Sequence, residues 1–272
     1  IAVVWCGSAT SWIIKKVIND KGGLHNRVTT YINLKPFTLT ETEEFLKSKH
    51  ANFTRYQIVQ FYMTFGGIPL YLEKIDVTKS AMQNINDICF SENGLLRHEF
   101  NRLYPALFDN PENHIAVIRA LAKSHKGLRR TEIIKEAKIP NGRSATLVLE
   151  ELEQSSFIMA YRPFGKKKKG KLYRIVDEYS VFYLRFIENQ PYEGDGTFMQ
   201  LSQLQAYKTW TGYAFENVCM KHILSVKKAL GVSGVYTRTF SFLTKDTDLE
   251  DGLQIDMLLE RADRVLDLFE IK

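Results

Sequence analysis

The stretch Gln254–Lys272, QIDMLLERADRVLDLFEIK, decides how the end of the chain folds. Two apolar runs, Ile255–Leu259 and Val265–Ile271, flank the charged segment Glu260–Arg264. Short apolar runs on either side of a polar turn predict a β-hairpin.

Three charged side chains of this hairpin are expected to converge. If the turn is centred between residues 262 and 263, Asp256 lies almost opposite Phe269 and Glu270, within reach of a cross-strand neighbour. Glu270 and Lys272 are two positions apart and therefore share one face of their strand. Carboxylate oxygens suit Mg²⁺, and a nearby lysine can orient or activate water. We therefore expect Asp256 and Glu270 to be metal ligands; the alternative is a surface hairpin with scattered charges.

Length and composition bound the class of protein. The 272 residues suggest roughly two domains, and 44% hydrophobic with 25% charged residues is ordinary globular composition. No apolar run is long enough to predict a membrane span. The three cysteines, Cys6, Cys89 and Cys219, have no metal-binding spacing and are expected to be reduced thiols of a cytoplasmic protein. Because the chain opens on IAVVWCGS, typical of a buried strand, we expect it to be a fragment.

The positive charge is concentrated in one region. Residues 115–175 hold 15 Lys/Arg and 5 Asp/Glu, a net +10, which leaves −4 for the remainder of the +6 chain. Such asymmetry indicates a polyanionic partner, and DNA is the first candidate.

Periodicity divides the chain into four segments. Residues 1–36 predict the tail of an α/β unit, with strands at Ile1–Cys6 and Thr29–Leu34. Residues 37–110 predict a set of helices. Residues 111–189 predict three helices and a hairpin, the order of a winged helix-turn-helix, followed by the aromatic helix Tyr179–Ile187, expected to pack on it. Residues 197–272 predict a long helix around Trp210–Val226, a strand and the closing hairpin.

The winged-helix segment carries the candidate DNA contacts. The run Lys166–Lys169 falls at the predicted wing tip, where ammonium groups can contact phosphates. Arg129, Arg130 and Arg143 fall where a helix-turn-helix presents its second and third helices. The predicted recognition helix is poor in base-reading side chains, so we expect backbone contacts with weak sequence preference. The alternative is a winged helix used only for packing.

Three more residues have both a functional and a purely structural interpretation. Glu216, on the predicted long helix, can complete a metal site or be a surface glutamate. Ser8, at a strand end, and Arg27 can face a nucleotide phosphate or be a capping serine and a surface arginine. No G-x-x-x-x-G-K-[ST] occurs, so we expect ATP to bind only with a segment that this chain lacks.

Several motifs together resemble one family. They are VVWCGSATSWI, GLHNRVTTYINLKPFTLTE, FGGIPLYL, GKLYRIVDEYSVFYLRFI, WTGYAFENV and the closing hairpin, and they cover nearly the whole chain. In this order they resemble AAA+/STAND-type P-loop ATPases that carry a C-terminal domain of the PD-(D/E)xK nuclease superfamily. Gly67 and Pro69 match the family's GxP motif, and Arg27 matches an arginine before its last core strand, so the resemblance implies that Gly67 and Pro69 also belong to the nucleotide-binding residues.

The resemblance implies a mixed α/β, multidomain fold: the end of a P-loop ATPase core (1–36), a helical lid (37–110), a winged helix-turn-helix (111–189) and a restriction-endonuclease-like α/β domain (197–272). Asp256, Glu270 and Lys272 match the D…ExK positions, and Glu216 matches the helix acid. The implied function is that of a DNA-processing ATPase whose nuclease site uses Mg²⁺. The alternative is a non-catalytic regulator that binds DNA or a protein under nucleotide control. An oligomer is an option that the sequence leaves open.

Overall fold

A computed structural model describes residues 29, 30, 32–161, 164, 171–190, 196–243 and 254–272. The first helices of this described part are α1 (Leu39–Ser48), α2 (Arg55–Phe65), α3 (Pro69–Leu72), α4 (Ala81–Cys89) and α5 (Phe100–Leu107), with a 3₁₀ turn at Leu95–Arg97. Helix α1 begins where Thr38 and Glu41 form a capping box, in which the Thr38 N–H donates to Glu41 Oε2 at 2.7 Å. Helices α2 and α4 begin with the same motif.

Residues 112–175 contain three helices and a small sheet. The elements are α6 (Glu112–Ala122), β1 (Leu128–Arg129), α7 (Arg130–Ala137), α8 (Arg143–Gln154), β2 (Ile158–Tyr161) and β3 (Leu172–Ile175). The strands pair antiparallel in the order β1-β3-β2. Helices and hairpin follow each other as predicted for a winged helix-turn-helix; the short strand β1 was not predicted.

The aromatic helix lies elsewhere than expected. It consists of α9 (Glu178–Phe182) and a π-helical turn at Tyr183–Ile187. Its rings pack on the helices of residues 37–110, with Tyr183 stacked on Phe100 at 4.6 Å between ring centroids and Phe182 edge-on to Phe90. We expected this helix to pack on the winged-helix segment. Its large rings instead fill the interior of the helical segment before it.

The last segment combines helices with an antiparallel sheet. Helices α10 (Thr197–Leu201), α11 (Gln205–Lys221) and α12 (Ile223–Ala229) precede β4 (Thr237–Leu243), β5 (Gln254–Arg261) and β6 (Leu266–Phe269), paired in the order β4-β5-β6. One long helix was expected around Trp210–Val226. The chain instead breaks at His222, whose backbone leaves helical geometry.

The predicted strand at Thr29–Leu34 is absent from the residues of that stretch that the structure describes. Ile32 and Leu34 are 77% and 85% exposed, and no described strand pairs with them. The strand at Ile1–Cys6 lies outside the described residues. Cys89 and Cys219 are free thiols, as expected. Among the described helices, none has the length and apolar character needed to cross a bilayer.

Candidate functional site

The closing hairpin brings Asp256 and Glu270 to one end of its two strands. Met257 pairs with Phe269, so the next pair in that register is Asp256 and Glu270, on the same face. The turn is a three-residue loop whose last residue, Arg264, has the left-handed backbone (φ 66°) that such loops require. Asp256 Oδ2 accepts a hydrogen bond from the Ile271 N–H at 2.9 Å, which fixes the carboxylate against the chain end.

Lys272 lies beside both carboxylates. Its Nζ is 2.7 Å from Glu270 Oε1, and the two side chains are largely exposed. The hydrogen bond and charge of Glu270, together with the charge of Asp256, raise the pKa of Lys272. The hairpin therefore presents two carboxylates and an ammonium at one end.

Helix α11 places Glu216 within electrostatic range of Asp256. Its side chain is half-buried, and burial followed by the charge of Asp256 raises the Glu216 pKa from 4.5 to about 7, against the opposing charges of Arg174 and Lys126. A carboxyl group whose pKa is pushed towards neutrality by burial and a second carboxylate is typical of functional sites.

The carboxylates fit a hard cation without forming a closed cage. Within the described residues, no three His, Cys, Asp or Glu side chains stand close enough together to hold a metal ion. Glu270 faces Lys272, and Asp256 faces a backbone N–H. Mg²⁺ in proteins is commonly held by only one or two carboxylates, with water and substrate phosphates as its other ligands. The donors Asp256 and Glu270 are therefore chemically suited to Mg²⁺.

The sequence did not reveal that the winged-helix segment also reaches this site. Arg174, on β3, is only 5% exposed; its Nη1 donates to Met220 Sδ at 2.8 Å, and its Nε has no hydrogen-bond partner. The His125 ring, in the turn before β1, stacks on Tyr213 with 3.9 Å between centroids. Tyr213 and Met220 flank Glu216 at helical spacing on α11, and this spacing was the available signal.

The predicted DNA contacts differ in their environments. The Arg130 guanidinium donates to Asn141 Oδ1 at 2.9 Å and to the Gly142 carbonyl at 3.0 Å, so it is engaged in holding the turn between α7 and α8. The Arg129 N–H donates to Glu132 Oε2 at 2.6 Å, and its side chain is exposed. Arg143 is exposed at the first residue of α8. Lys166, Lys167, Lys168 and Lys169 lie outside the described residues.

The predicted nucleotide contacts are only partly described. Ser8 and Arg27 lie outside the described residues. The Gly67 carbonyl accepts from the Phe37 N–H at 2.7 Å, and a Cβ on Gly67 would lie 1.9 Å from the Phe37 oxygen. Gly67 is thus required by close backbone packing, and Pro69 is the first residue of α3. Their role towards a nucleotide stays a prediction.

Comparison with known proteins gives one distant structural neighbour. No protein-family model matches the chain, and no curated protein matches it. Among solved structures, the Walker-type ATPase PABY2304 of Pyrococcus abyssi aligns with 65% of this chain at 20% identity and a TM-score of 0.41. The chain spans about half the length of that ATPase, 51%.

Proposed function

We propose that Glu216, Asp256, Glu270 and Lys272 form a metal-dependent site that hydrolyses phosphodiester bonds of nucleic acid. The observation that supports the proposal is the convergence of Asp256, Glu270 and Lys272 at one end of the hairpin, with Glu216 of α11 within electrostatic range of Asp256. The chain would be the C-terminal portion of an ATPase of the AAA+/STAND type. ATP enters this proposal through the sequence resemblance alone.

Each residue has a role that follows from its chemistry. Mg²⁺ held by Asp256 and Glu270 would supply Lewis-acid stabilisation of the charge that develops on the phosphate. Lys272 would orient and polarise the attacking water. Glu216, with a pKa of about 7, is suited to accept the proton that this water loses. The water oxygen bonds to phosphorus, the bond to the leaving sugar oxygen breaks, and that oxygen takes a proton from solvent.

A cleavage assay with paired variants tests this function. We expect the protein to cut labelled DNA in Mg²⁺ or Mn²⁺, and Asp256→Asn or Glu270→Gln to lower the rate by more than about 100-fold, beyond the cost of losing an outer-shell partner. Glu260→Gln is the matched control, because Glu260 lies on β5 but faces Arg238 at 3.9 Å. Equal rates in all three variants, or no metal-dependent cleavage, would contradict the proposal.

A second candidate function is a non-catalytic regulator that binds DNA or a protein under nucleotide control. The observation that favours it is the pairing of Glu270 with Lys272, which occupies one proposed ligand with a cation. The same assay separates the two functions, since a regulator would bind DNA with or without Mg²⁺ and leave it intact.

A further inference from the structure

The turn Ser124–Gly127, between α6 and β1, faces the proposed nuclease site. Its His125 ring stacks on Tyr213, one helical turn before Glu216 on α11. The charge of Lys126 lowers the pKa of Glu216 and opposes the effect of burial, so the Lys126 ammonium lies within electrostatic range of that carboxylate. The turn therefore packs on α11 near Glu216 and carries a cation within electrostatic range of that carboxylate.

Several hydrogen bonds fix this turn. The Gly127 N–H donates to the Ser124 carbonyl at 3.0 Å, and Ser124 Oγ donates to the Gly127 carbonyl at 3.2 Å. The Tyr161 hydroxyl, on β2, donates to the Lys126 carbonyl. Gly127 has a φ of 74°, and a Cβ there would lie 2.5 Å from the Tyr173 carbonyl oxygen. Lys126 thus projects from a backbone whose conformation is set before any ligand binds.

Two cations of the winged-helix segment act on the Glu216 carboxylate, one buried and one exposed. Arg174 is buried with its Nε unpartnered, and its charge also favours ionised Glu216. It cannot reach a ligand in solvent, so it acts as a positioning residue behind Glu216. Lys126 is exposed, and within the described residues its ammonium forms no ion pair with a carboxylate. It is the cation of the two that a bound polyanion can reach.

On the premise of the proposed nuclease function, we propose that Lys126 binds a backbone phosphate of the substrate beside the one presented to Asp256 and Glu270. The nucleic acid strand then runs between the Ser124–Gly127 turn and the closing hairpin. This path differs from one along the exposed surface of α8, where Arg143 lies. It also gives a reason why the turn is built rigidly against α11.

Binding without metal tests the contact separately from cleavage. Fluorescence anisotropy of a labelled duplex in EDTA compares Lys126→Gln with Lys74→Gln, which removes the same charge from an exposed position in the segment of residues 37–110. We expect Lys126→Gln to weaken binding about 8-fold at ~0.1 M salt and to reduce the slope of log K against log salt by about 1, as for one lost phosphate contact. Lys126→Arg should retain both values.

Equal affinity and salt slope in Lys126→Gln and Lys74→Gln would overturn the inference, as would the absence of DNA binding by the unaltered protein. Cleavage by Asp256→Asn reports on the proposed function alone, so the two failures are distinguishable. If the protein cleaves, Lys126→Gln should raise KM, because a phosphate next to the reacting one is already held in the ground state.

Discussion

Glu216 is a half-buried carboxyl group placed beside a second carboxylate. Burial and Asp256 raise its pKa from 4.5 to about 7, so the folded protein binds a proton here more tightly than the unfolded chain. The stability that this group contributes is fully present below pH 4.5 and is lost as the pH rises through 7. Above that pH the ionised group costs about 1 to 2 kcal/mol, after allowance for solvent screening.

Replacing Glu216 by Gln should therefore stabilise the metal-free protein at alkaline pH. In EDTA we expect Glu216→Gln to raise the free energy of unfolding by about 1 kcal/mol at about pH 8 and to change it little at about pH 4. Urea unfolding at the two pH values measures this, with Glu150→Gln on the exposed face of α8 as the control. A destabilisation of the same size at both pH values would contradict the conclusion that the ionised Glu216 carboxylate destabilises the fold.

The residues of the candidate site differ in how far the sequence reveals them. Asp256, Glu270 and Lys272 lie within one hairpin, so their spacing alone predicts that they meet. Lys126 and Arg174 come from two other segments, and their approach to Glu216 depends on tertiary packing that no local pattern encodes. For Arg130, the sequence suggested a DNA contact but did not reveal that its guanidinium bonds to the turn before α8; the DNA contact stays a prediction.

At the scale of elements, the C-terminal end of α11 joins three segments. Lys221 Nζ donates to both carboxylate oxygens of Glu178 at 2.7 and 2.8 Å and to the Val176 carbonyl at 3.1 Å. Burial raises the pKa of Glu178, and Lys221 opposes that shift. A Cβ on Gly66 would lie 2.8 Å from Glu178 Oε2, which explains the glycine after α2. This pair ties α9 to α11 and to the glycine turn.

Removing Lys221 should leave an unpaired carboxylate in the interior. We expect Lys221→Met to lower the free energy of unfolding by about 3 kcal/mol near neutral pH, since breaking one side of a buried pair costs more than replacing both sides. The double variant Lys221→Met/Glu178→Gln should recover part of that loss. Denaturant unfolding of the two single variants and the double variant measures the coupling; strictly additive losses would show that the pair is not a unit.

Local signals explain which elements were predictable. The closing hairpin and the helices of residues 112–154 have clear apolar periodicity and turn residues, and the structure places them within a few residues of expectation. The break in the helix predicted over Trp210–Val226 has no such signal. His222 ends α11 there, and its Nε2 accepts from the Leu39 N–H at 2.9 Å, a contact made only in the folded chain. The strand expected at Thr29–Leu34 has no partner among the described residues.

At the scale of the whole molecule, one hydrophobic core crosses the predicted segment boundaries. It runs from Leu46 to Val218 and includes buried side chains of the helices of residues 37–110, the winged-helix segment and α11. Trp210 of α11 packs on Phe182 with 5.2 Å between ring centroids, and Phe182 packs on Phe90. These three segments share one interior.

Because these three segments share one core, we expect them to unfold together. We expect one thermal transition for residues 37–110, the winged-helix segment and α11, with the calorimetric enthalpy close to the van't Hoff value. Phe182→Ala should lower that whole transition, at a cost of about 3 to 5 kcal/mol, whereas Leu268→Ala, at a site 61% exposed, should change stability by about 0.5 kcal/mol or less. Two resolved transitions, with only one shifted by Phe182→Ala, would indicate independent domains.

The hydrogen bond between Leu39 and His222 can form only late during synthesis on the ribosome. Its two residues are 183 positions apart, a stretch that takes about 10 to 40 s to translate at ~5–20 residues per second. During that interval the first amide of α1 has no imidazole to bond, and only the local capping box of Thr38 and Glu41 holds the start of the helix. Burial lowers the pKa of His222, so the ring is a neutral hydrogen-bond acceptor at physiological pH once the bond has formed. Helix α1 is thus bonded to His222 at the end of α11 only after almost all of the core has been synthesised.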